Sequence, residues 1–328
     1  MEKFSGNKKE SGVNRVVGID TEKEEEILEY FKDIFEGNTP EGKEKEKSTE
    51  EKEIIVRMDN DMSIFLKKYG VDTINIPNEN IHIIDSKRFT EEELRKIHKK
   101  FGTEHGFYSS EKQSIVILKD SNDSKLSFYH TIAHEMLHIQ GFYSYQKSNA
   151  KDSDFTLKNK NSNEELSINV RRSGFSIGSV DGKELFFDDL NESIITELEI
   201  LFEKEFIAKW PELQDEVRER KEHIEYMREN NNNSVDKKDL EIASFTIDDN
   251  SNYTNKTYAY YSERRKLKSL VDGLYKNNSD QFDSRDEVFK LFVEATMSGR
   301  IMEVARLIEK TFGKGSFRMI GELTSDKK

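Results

Sequence analysis

Two histidines and a glutamate stand close together between His134 and His138, where the chain reads His-Glu-Met-Leu-His. On a helix, residues four positions apart lie about 40° apart around the axis, so both imidazoles point the same way. Two imidazoles in that arrangement can bind one Zn²⁺ at about 2.0–2.1 Å each. Glu135 is displaced around the helix, from where it can reach a water on the metal rather than the metal itself. The segment therefore predicts a zinc site with Glu135 as general base.

The elements around this segment strengthen the prediction. The five residues match the His-Glu-x-x-His pattern of zinc peptidases and lie in a helix predicted over about residues 124–140. The strand predicted at Ser114–Lys119, this helix, and a later helix that opens Leu190-Asn191-Glu192-Ser193 together resemble the minimal core of gluzincin metallopeptidases. The resemblance covers about residues 54–210. It implies one zinc ion, a peptide or protein substrate, and Glu192 as the third metal ligand.

The third ligand has an alternative. Asp189 and Glu192 have the spacing of a capping box, so Glu192 could simply cap its helix. Gluzincins commonly place a second acid four positions after the ligand, where it braces a ligand histidine. Here that position is Thr196, and the acid, Glu197, follows one residue later. Because five residues turn about 140° around a helix, Glu192 and Glu197 cannot both face the metal. Glu192 is favoured, with Thr196 as the brace, and Glu197 is the alternative ligand.

Other residues near the predicted site have two interpretations each. His130 lies one turn before the first ligand, but three turns span about 12 Å, too far for one zinc to take all three histidines, so packing is favoured. Ile115–Leu118 fits either a sheet edge that pairs with an extended substrate or a buried interior strand. An oxyanion donor could come from three tyrosines, although packing is favoured for them: Tyr258, Tyr260 and Tyr261.

Apolar spacing, capping boxes and turn signals predict the elements that position the site. Predicted helices cover about residues 24–35, 60–69, 90–100, 124–140, 190–210, 284–295 and 304–312, with a charged helix and a polar stretch to about 255 after Pro211. Predicted strands cover residues 73–76, 81–85 and 114–119, with a hairpin across 166–187 that turns at Asp181-Gly182. The expected fold is α+β, with a small, mainly antiparallel sheet packed on the zinc-bearing helix and a predominantly helical C-terminal region.

The chain divides into three predicted parts. Residues 1–53 hold an N-terminal helix and a flexible charged linker, and structured sequence resumes near Ile54. Residues 54–210 form a zincin-like metallopeptidase domain, and residues 211–328 form the helical region. Two further functions stay open for this arrangement. The site could belong to a non-catalytic or vestigial zinc-binding interaction module, or to a regulatory protease that its helical tail keeps dormant.

Composition excludes several classes of partner. A net charge of -13 argues against nucleic acid, whose phosphates require a basic surface. The absence of cysteine leaves histidine and carboxylates as metal ligands. No stretch approaches the roughly 18 apolar residues of a membrane span, and the first residues lack the pattern of a secretory signal. These features predict a cytoplasmic protein that does not enter a membrane.

Overall fold

The computed structural model describes residues 10–37, 44–93, 95, 105–119, 124–148, 153, 155–158, 165–230, 241–247, 253–324 and 326–327 of the 328. These residues form helices and three sheets, of seven, three and two strands, with a predominantly helical C-terminal region. The predicted α+β class is confirmed. No helix in this part of the chain has the length and apolar composition that crossing a membrane requires.

The N-terminal segment docks on the largest sheet. Strand β1 (Arg15–Val17) leads into helix α1 (Thr21–Glu36), which begins where the Asp20 side chain accepts a hydrogen bond from the N–H of Lys23. Phe31, on the apolar face of α1, stacks on Tyr145 of the sheet with 5.2 Å between ring centroids. The helix predicted at 24–35 is therefore confirmed and extends slightly beyond both predicted ends.

Helix α2 (Thr49–Lys67) begins inside the predicted linker, so the boundary expected near residue 54 is too late. Its start is a capping box, in which Ser48 and Glu51 each accept a backbone hydrogen bond from the other residue. Lys119 also holds the Glu51 carboxylate at 2.9 Å. Burial alone would raise the pKa of Glu51, but these partners lower it to about 2. The charged residues that suggested a linker thus start a helix.

The three-stranded sheet lies beside the predicted metal helix. It consists of β2 (Ile81–Asp85), β3 (Gly106–Ser109) and β4 (Ser114–Lys119). Strand β4 lies in the middle, parallel to β2 and antiparallel to β3. Ile115–Leu118 is therefore an interior strand, and its interpretation as a substrate-pairing edge is wrong. Among the described residues, β3 is the outer strand on that side.

The strand predicted at residues 73–76 does not form. The side chain of Gln140 instead binds the backbone of Ile74 through both of its polar atoms, at 3.0 and 2.7 Å. The carboxylate of Asp59 accepts from the N–H of Ile76 at 3.1 Å. Farther on, Thr90 and Glu93 form the predicted capping box, but most of the helix expected after it lies outside the described residues.

Helix α3 (Lys125–Gln140) carries the His-Glu-Met-Leu-His segment and has the predicted bounds. The Ser124 side chain caps it by accepting from the N–H of Ser127, and Gly141 follows its last residue. The helix packs on β3 and β4 on one side and on α4 (Asp188–Glu205) on another. Because neighbours surround it, most of its residues are buried, including polar ones.

The seven-stranded sheet has the order β1-β5-β7-β8-β9-β12, with β6 also paired to β7. Its other strands are β5 (Tyr143–Lys147), β6 (Phe155–Lys158), β7 (Glu165–Ser173), β8 (Ser176–Gly178), β9 (Glu184–Phe186) and β12 (Asp326–Lys327). All neighbours are antiparallel except β1 and β5. Left-handed glycines turn the chain at Gly174 and Gly182, so the predicted hairpin is a three-stranded meander.

Helix α4 starts two residues before the predicted Leu190. Its N-cap is Phe187, with a φ of 66° and no side-chain cap, rather than an aspartate. The capping box of Asp189 and Glu192 is therefore absent, and the carboxylate of Glu192 is left for another role.

The described residues of the C-terminal region are mainly helical, apart from the short strand β12 and one hairpin that the sequence analysis missed. Its helices are α5 (Gln214–Asn230), α6 (Tyr261–Asn277), α7 (Arg285–Ser298), α8 (Ile301–Phe312) and α9 (Ser316–Leu323). The hairpin consists of β10 (Ile242–Ile247) and β11 (Tyr253–Thr257), within the segment predicted as a polar stretch. Helices α6, α7 and α8 contribute to the same hydrophobic cluster as α3 and α4.

Candidate metal centre

Helix α3 directs both predicted histidine ligands at one point. The Nε2 atoms of His134 and His138 lie 3.2 Å apart, as the four-residue spacing on a helix predicts. Helix α4 crosses close to α3 here, and Oε2 of Glu192 lies 3.5 Å from Nε2 of His134 and 3.3 Å from Nε2 of His138. These three side chains, each partly buried, form a group that could hold a metal ion.

The distances within this group suit a tetrahedral ion. Bonds of about 2.0–2.1 Å at tetrahedral angles put ligand atoms about 3.3–3.4 Å apart. The three observed separations, 3.2, 3.3 and 3.5 Å, agree with that value. In the described part of the chain, no fourth histidine or acid joins the group. The arrangement therefore leaves one position of a tetrahedron open.

Asn191 helps to place Glu192 on the face of α4 that is turned toward His134 and His138. Its side-chain oxygen accepts from the N–H of Phe175 at 2.8 Å, which ties the start of the helix to the β7–β8 turn. The turn itself requires glycine, because a Cβ on Gly174 would lie 2.3 Å from that oxygen. The first turn of α4 is thus fixed by the sheet before Glu192 meets α3.

Glu197, the alternative third ligand, points elsewhere. Its carboxylate binds Nε of the buried Arg264 at 2.7 Å and Nζ of Lys268 at 3.0 Å. Thr196 does not brace a histidine either, since its hydroxyl is buried without a hydrogen-bond partner among the described residues. The structure brings Glu192 rather than Glu197 to the histidines.

Glu199, which the sequence analysis missed, has the position expected of the brace. Its Oε2 lies 3.0 Å from Nδ1 of His134, the ring nitrogen opposite the metal position. A carboxylate in this place orients a ligand histidine and increases its basicity. The signal was available, because Glu199 follows Glu192 by seven residues, or almost two helical turns, and shares its face.

The ligand pKa values reflect this crowding. Burial would lower the pKa of His134, but its hydrogen bonds to the carboxylates of Glu192 and Glu199 raise it well above its usual value. Burial would also lower the pKa of His138, but the charge of Glu192 and its hydrogen bond with the ring outweigh burial and raise that pKa. For Glu192 burial is outweighed by the two histidines, and its pKa is lowered. A metal ion would take over the role of the protons that these groups share.

Glu135 lies in the cleft beside the histidines and is 7% exposed. Burial raises its pKa, although the neighbouring histidines and the N–H of Tyr108 partly offset that effect. The N–H comes from strand β3, so the sheet holds the carboxylate in place. A carboxylate whose pKa is raised toward neutrality is a better proton acceptor in catalysis.

Of the three candidate tyrosines, only Tyr260 approaches the predicted ligands. Desolvation in the cleft and the charge of Glu192, to which the hydroxyl is hydrogen-bonded, raise its pKa well above the usual value. Tyr258 donates instead to Glu203, and Tyr261 lies beside the guanidinium of Arg265. Tyr260 has a φ of 53°, a strained value for a non-glycine residue, which is typical of functional positions.

The site opens into a cleft of about 670 Å³. Strand β3 and the residue before it form one wall, α3 and the start of α4 form the floor, and the hairpin β10–β11 with Tyr260 forms the other wall. Part of the predicted C-terminal region therefore belongs to the cleft. His130 also lines it, away from the ligand group.

Comparisons with known proteins give no match: no family model, no curated protein and no solved structure matches this chain. The resemblance to gluzincins stays a prediction, and the side-chain geometry is what supports it.

Proposed function

We propose that this protein is a gluzincin-type metallopeptidase that binds one Zn²⁺ per chain through His134, His138 and Glu192. The observation that carries the proposal is the triangle of ligand atoms, whose sides of 3.2–3.5 Å suit a tetrahedral ion. Two imidazoles and one carboxylate are a ligand set of catalytic zinc sites, which keep a fourth position open. A structural site would be closed by a fourth protein ligand, and none is present among the described residues.

Each nearby side chain has a role in hydrolysis of a peptide bond. Bound zinc would polarise the scissile carbonyl and lower the pKa of a water to about 7. Glu135 takes the proton from the attacking water and passes it to the leaving amine. The Tyr260 hydroxyl donates a hydrogen bond to the oxygen on which negative charge develops. Glu199 keeps His134 oriented throughout.

The substrate we propose is an extended segment of a peptide or protein. The cleft follows β3, since Gly106, Phe107 and Tyr108 of that strand line it. We place the activity in the cytoplasm, because a chain without cysteine requires no oxidising compartment.

The non-catalytic alternative is less well supported, because a purely structural site has no use for a buried carboxylate at Glu135. The dormant-protease alternative needs revision in one respect. Ala243, Ser244 and residues 256–260 line the cleft, so deletion of residues 211–328 would remove a wall of the site rather than uncover it.

Metal content is the first test. Purified protein dialysed against Zn²⁺ should retain about one zinc per chain, measured by plasma emission spectrometry. His134→Ala and Glu192→Ala should lose it, whereas Glu197→Ala should keep it because that carboxylate faces Arg264. Glu135→Gln should keep zinc and lose hydrolysis of fluorescein-labelled casein. Absence of zinc from the unaltered protein would remove the metal site, and full activity of Glu135→Gln would remove the mechanism.

A further inference from the structure

A row of buried polar side chains continues from the metal ligands into the protein. Glu199 binds His134 with one carboxylate oxygen, and its other oxygen lies 3.7 Å from Nδ1 of His130. The opposite nitrogen of His130 lies 3.8 Å from the carboxylate of Glu203. Tyr258 donates a hydrogen bond to Glu203 and stacks on the His130 ring, with 5.5 Å between centroids. The row thus runs from α3 to the end of the hairpin.

The register of two helices produces this row. His130 and His134 are one turn apart on α3, and Glu199 and Glu203 are one turn apart on α4. Each histidine therefore faces a carboxylate across the helix interface, and Glu199 lies between the two histidines. Because the four-residue spacings match, these contacts set the axial position of α3 relative to α4.

The far end of the row is anchored on two more elements. Arg220 of α5 binds the carboxylate of Glu203 and also donates to the carbonyl of Ala243 on β10 at 2.8 Å. Glu203 is 2% exposed and Arg220 is 8% exposed, so these charges are paired inside the protein. The same contacts hold the hairpin that forms one wall of the cleft.

Packing alone does not account for a histidine at position 130. The side chain is 4% exposed, and neither ring nitrogen has a hydrogen bond in the described part of the chain. A buried polar group without such a bond costs free energy, whereas phenylalanine would stack on Tyr258 without that cost. Unlike phenylalanine, the histidine places a ring nitrogen toward each carboxylate. Nδ1 lies 3.7 Å from Glu199, and Nε2 lies 3.8 Å from Glu203.

We infer that His130 is a positioning residue that holds Glu199 against the ligand His134 and links the metal site to the hairpin wall through Glu203 and Tyr258. The inference rests on the proposed function. A buried carboxylate with only one of its oxygens engaged can rotate, whereas a partner on each oxygen fixes its plane. His130 faces the second oxygen at 3.7 Å, an electrostatic contact longer than a hydrogen bond, and the anchored Glu203 and Tyr258 keep His130 itself in place.

Zinc affinity tests this assignment, measured by competition with a chromophoric chelator. Loss of a carboxylate that braces a ligand histidine costs roughly 10–100-fold in metal affinity, which we expect for Glu199→Gln. His130→Phe, one contact farther away, should weaken zinc binding by roughly 3–10-fold, and His130→Gln, which restores an N–H donor, should recover part of that loss. The visible spectrum of the Co²⁺-loaded His130→Phe variant should also shift, because the ligand field changes.

Two comparisons separate positioning from general loosening. His223→Phe removes another buried histidine that contacts the hairpin, through Asn255 at 2.8 Å, but it lies outside the row of Glu199, His130, Glu203 and Tyr258, so zinc affinity should stay within twofold. Because His130 acts through Glu199, the double variant His130→Phe/Glu199→Gln should bind zinc about as weakly as Glu199→Gln alone.

Three results would overturn the inference while zinc binding by the unaltered protein stands. These are an affinity of both His130→Phe and His130→Gln within twofold of the unaltered protein, additive losses in the double variant, or an equal loss in His223→Phe. If the unaltered protein binds no zinc, the proposed function fails and the inference fails with it.

Discussion

Backbone contacts hold Tyr260 in a strained conformation at the cleft. Its left-handed backbone costs about 1–3 kcal/mol for a non-glycine residue, and it persists only where surrounding contacts impose it. The residue is the N-cap of α6, and its carbonyl accepts from the N–H of the buried Arg264 at 2.8 Å. Arg264 in turn binds Glu197 on α4. The ion pair that holds Glu197 away from the predicted metal site thus also supports Tyr260, which faces that site.

We expect Tyr260→Phe to lower kcat for labelled casein by roughly 10²-fold, since removal of one oxyanion donor has an effect of that size. KM and zinc content should change little, because the hydroxyl is not a ligand and acts on the charge that develops during reaction. Steady-state kinetics and metal analysis provide the measurement. Tyr261→Phe is the matched control, with the same atom removed one residue later, and should retain full kcat. An unchanged kcat for Tyr260→Phe would show that this hydroxyl does not stabilise the oxyanion.

Some residues of the site could be predicted from the sequence, and others could not. The four-residue spacing of His134 and His138 is local to one helix, so their convergence followed directly from helix geometry. The choice of Glu192 over Glu197 depends on where Arg264 lies, 67 residues farther along the chain. A contact over that distance leaves no local periodicity to detect. Glu199 differs for another reason, because gluzincins place the bracing acid four residues after the ligand, whereas here it follows Glu192 by seven residues.

Helix α2 carries the buried carboxylate of Asp59, and the protonation state of that group affects the stability of the fold. Asp59 is 5% exposed, and burial raises its pKa to about 6, although the N–H of Ile76 partly offsets that effect. Its pKa in the folded protein thus lies above the ordinary value of 3.8. The group contributes most to stability when it is protonated, below about pH 4, and that contribution is lost as the pH rises through 6. Burial of the charged carboxylate therefore makes the fold less stable at neutral pH than in acid, and the hydrogen bond from Ile76 offsets part of that loss.

We predict that Asp59→Asn stabilises the protein at pH 8 by about 1–3 kcal/mol, because a neutral amide avoids the cost of a buried charge and still accepts from Ile76. Near pH 4 the two proteins should have nearly the same free energy of unfolding. Urea unfolding followed by circular dichroism at pH 4, 6 and 8 gives the values. The exposed Asp72→Asn is the control and should show little pH-dependent difference. Equal stabilities at all three pH values would mean that Asp59 is not desolvated.

Elements that depend on their own residues were predicted well, and those that depend on distant partners were not. Helix α3 is determined by its cap, its apolar residues and Gly141, all of which are local. Residues 73–76 have the apolar composition of a strand, yet Gln140 occupies the backbone groups of Ile74 that a neighbouring strand would need. The hairpin β10–β11 joins a partly apolar strand to a polar one, and distant residues hold it, since Arg220 donates to the carbonyl of Ala243 and Tyr258 donates to Glu203.

At the scale of the whole molecule, the predicted metallopeptidase domain and the predicted helical region share one core. Phe175 from the first stacks on Phe292 from the second, with 5.8 Å between centroids, and both are fully buried. Phe187, the N-cap of α4, stacks on Phe317 of α9 at 4.5 Å. The helix that supplies Glu192 is therefore covered by side chains from beyond residue 211.

We predict that the chain cut after Trp210 does not fold cooperatively. Each large apolar side chain that loses its cover forfeits about 1.5–3 kcal/mol, and several such losses exceed the total stability of about 5–15 kcal/mol that is typical of proteins. The truncated chain should bind the dye ANS, lose its near-ultraviolet dichroism and show no cooperative urea transition. In the full chain, Phe292→Ala should lower stability by about 3–5 kcal/mol within one transition. Met319→Ala, at a position that is 55% exposed, is the control and should have little effect. Cooperative unfolding of the truncated chain, or two separate transitions in the full one, would instead show that residues 54–210 fold as an independent domain.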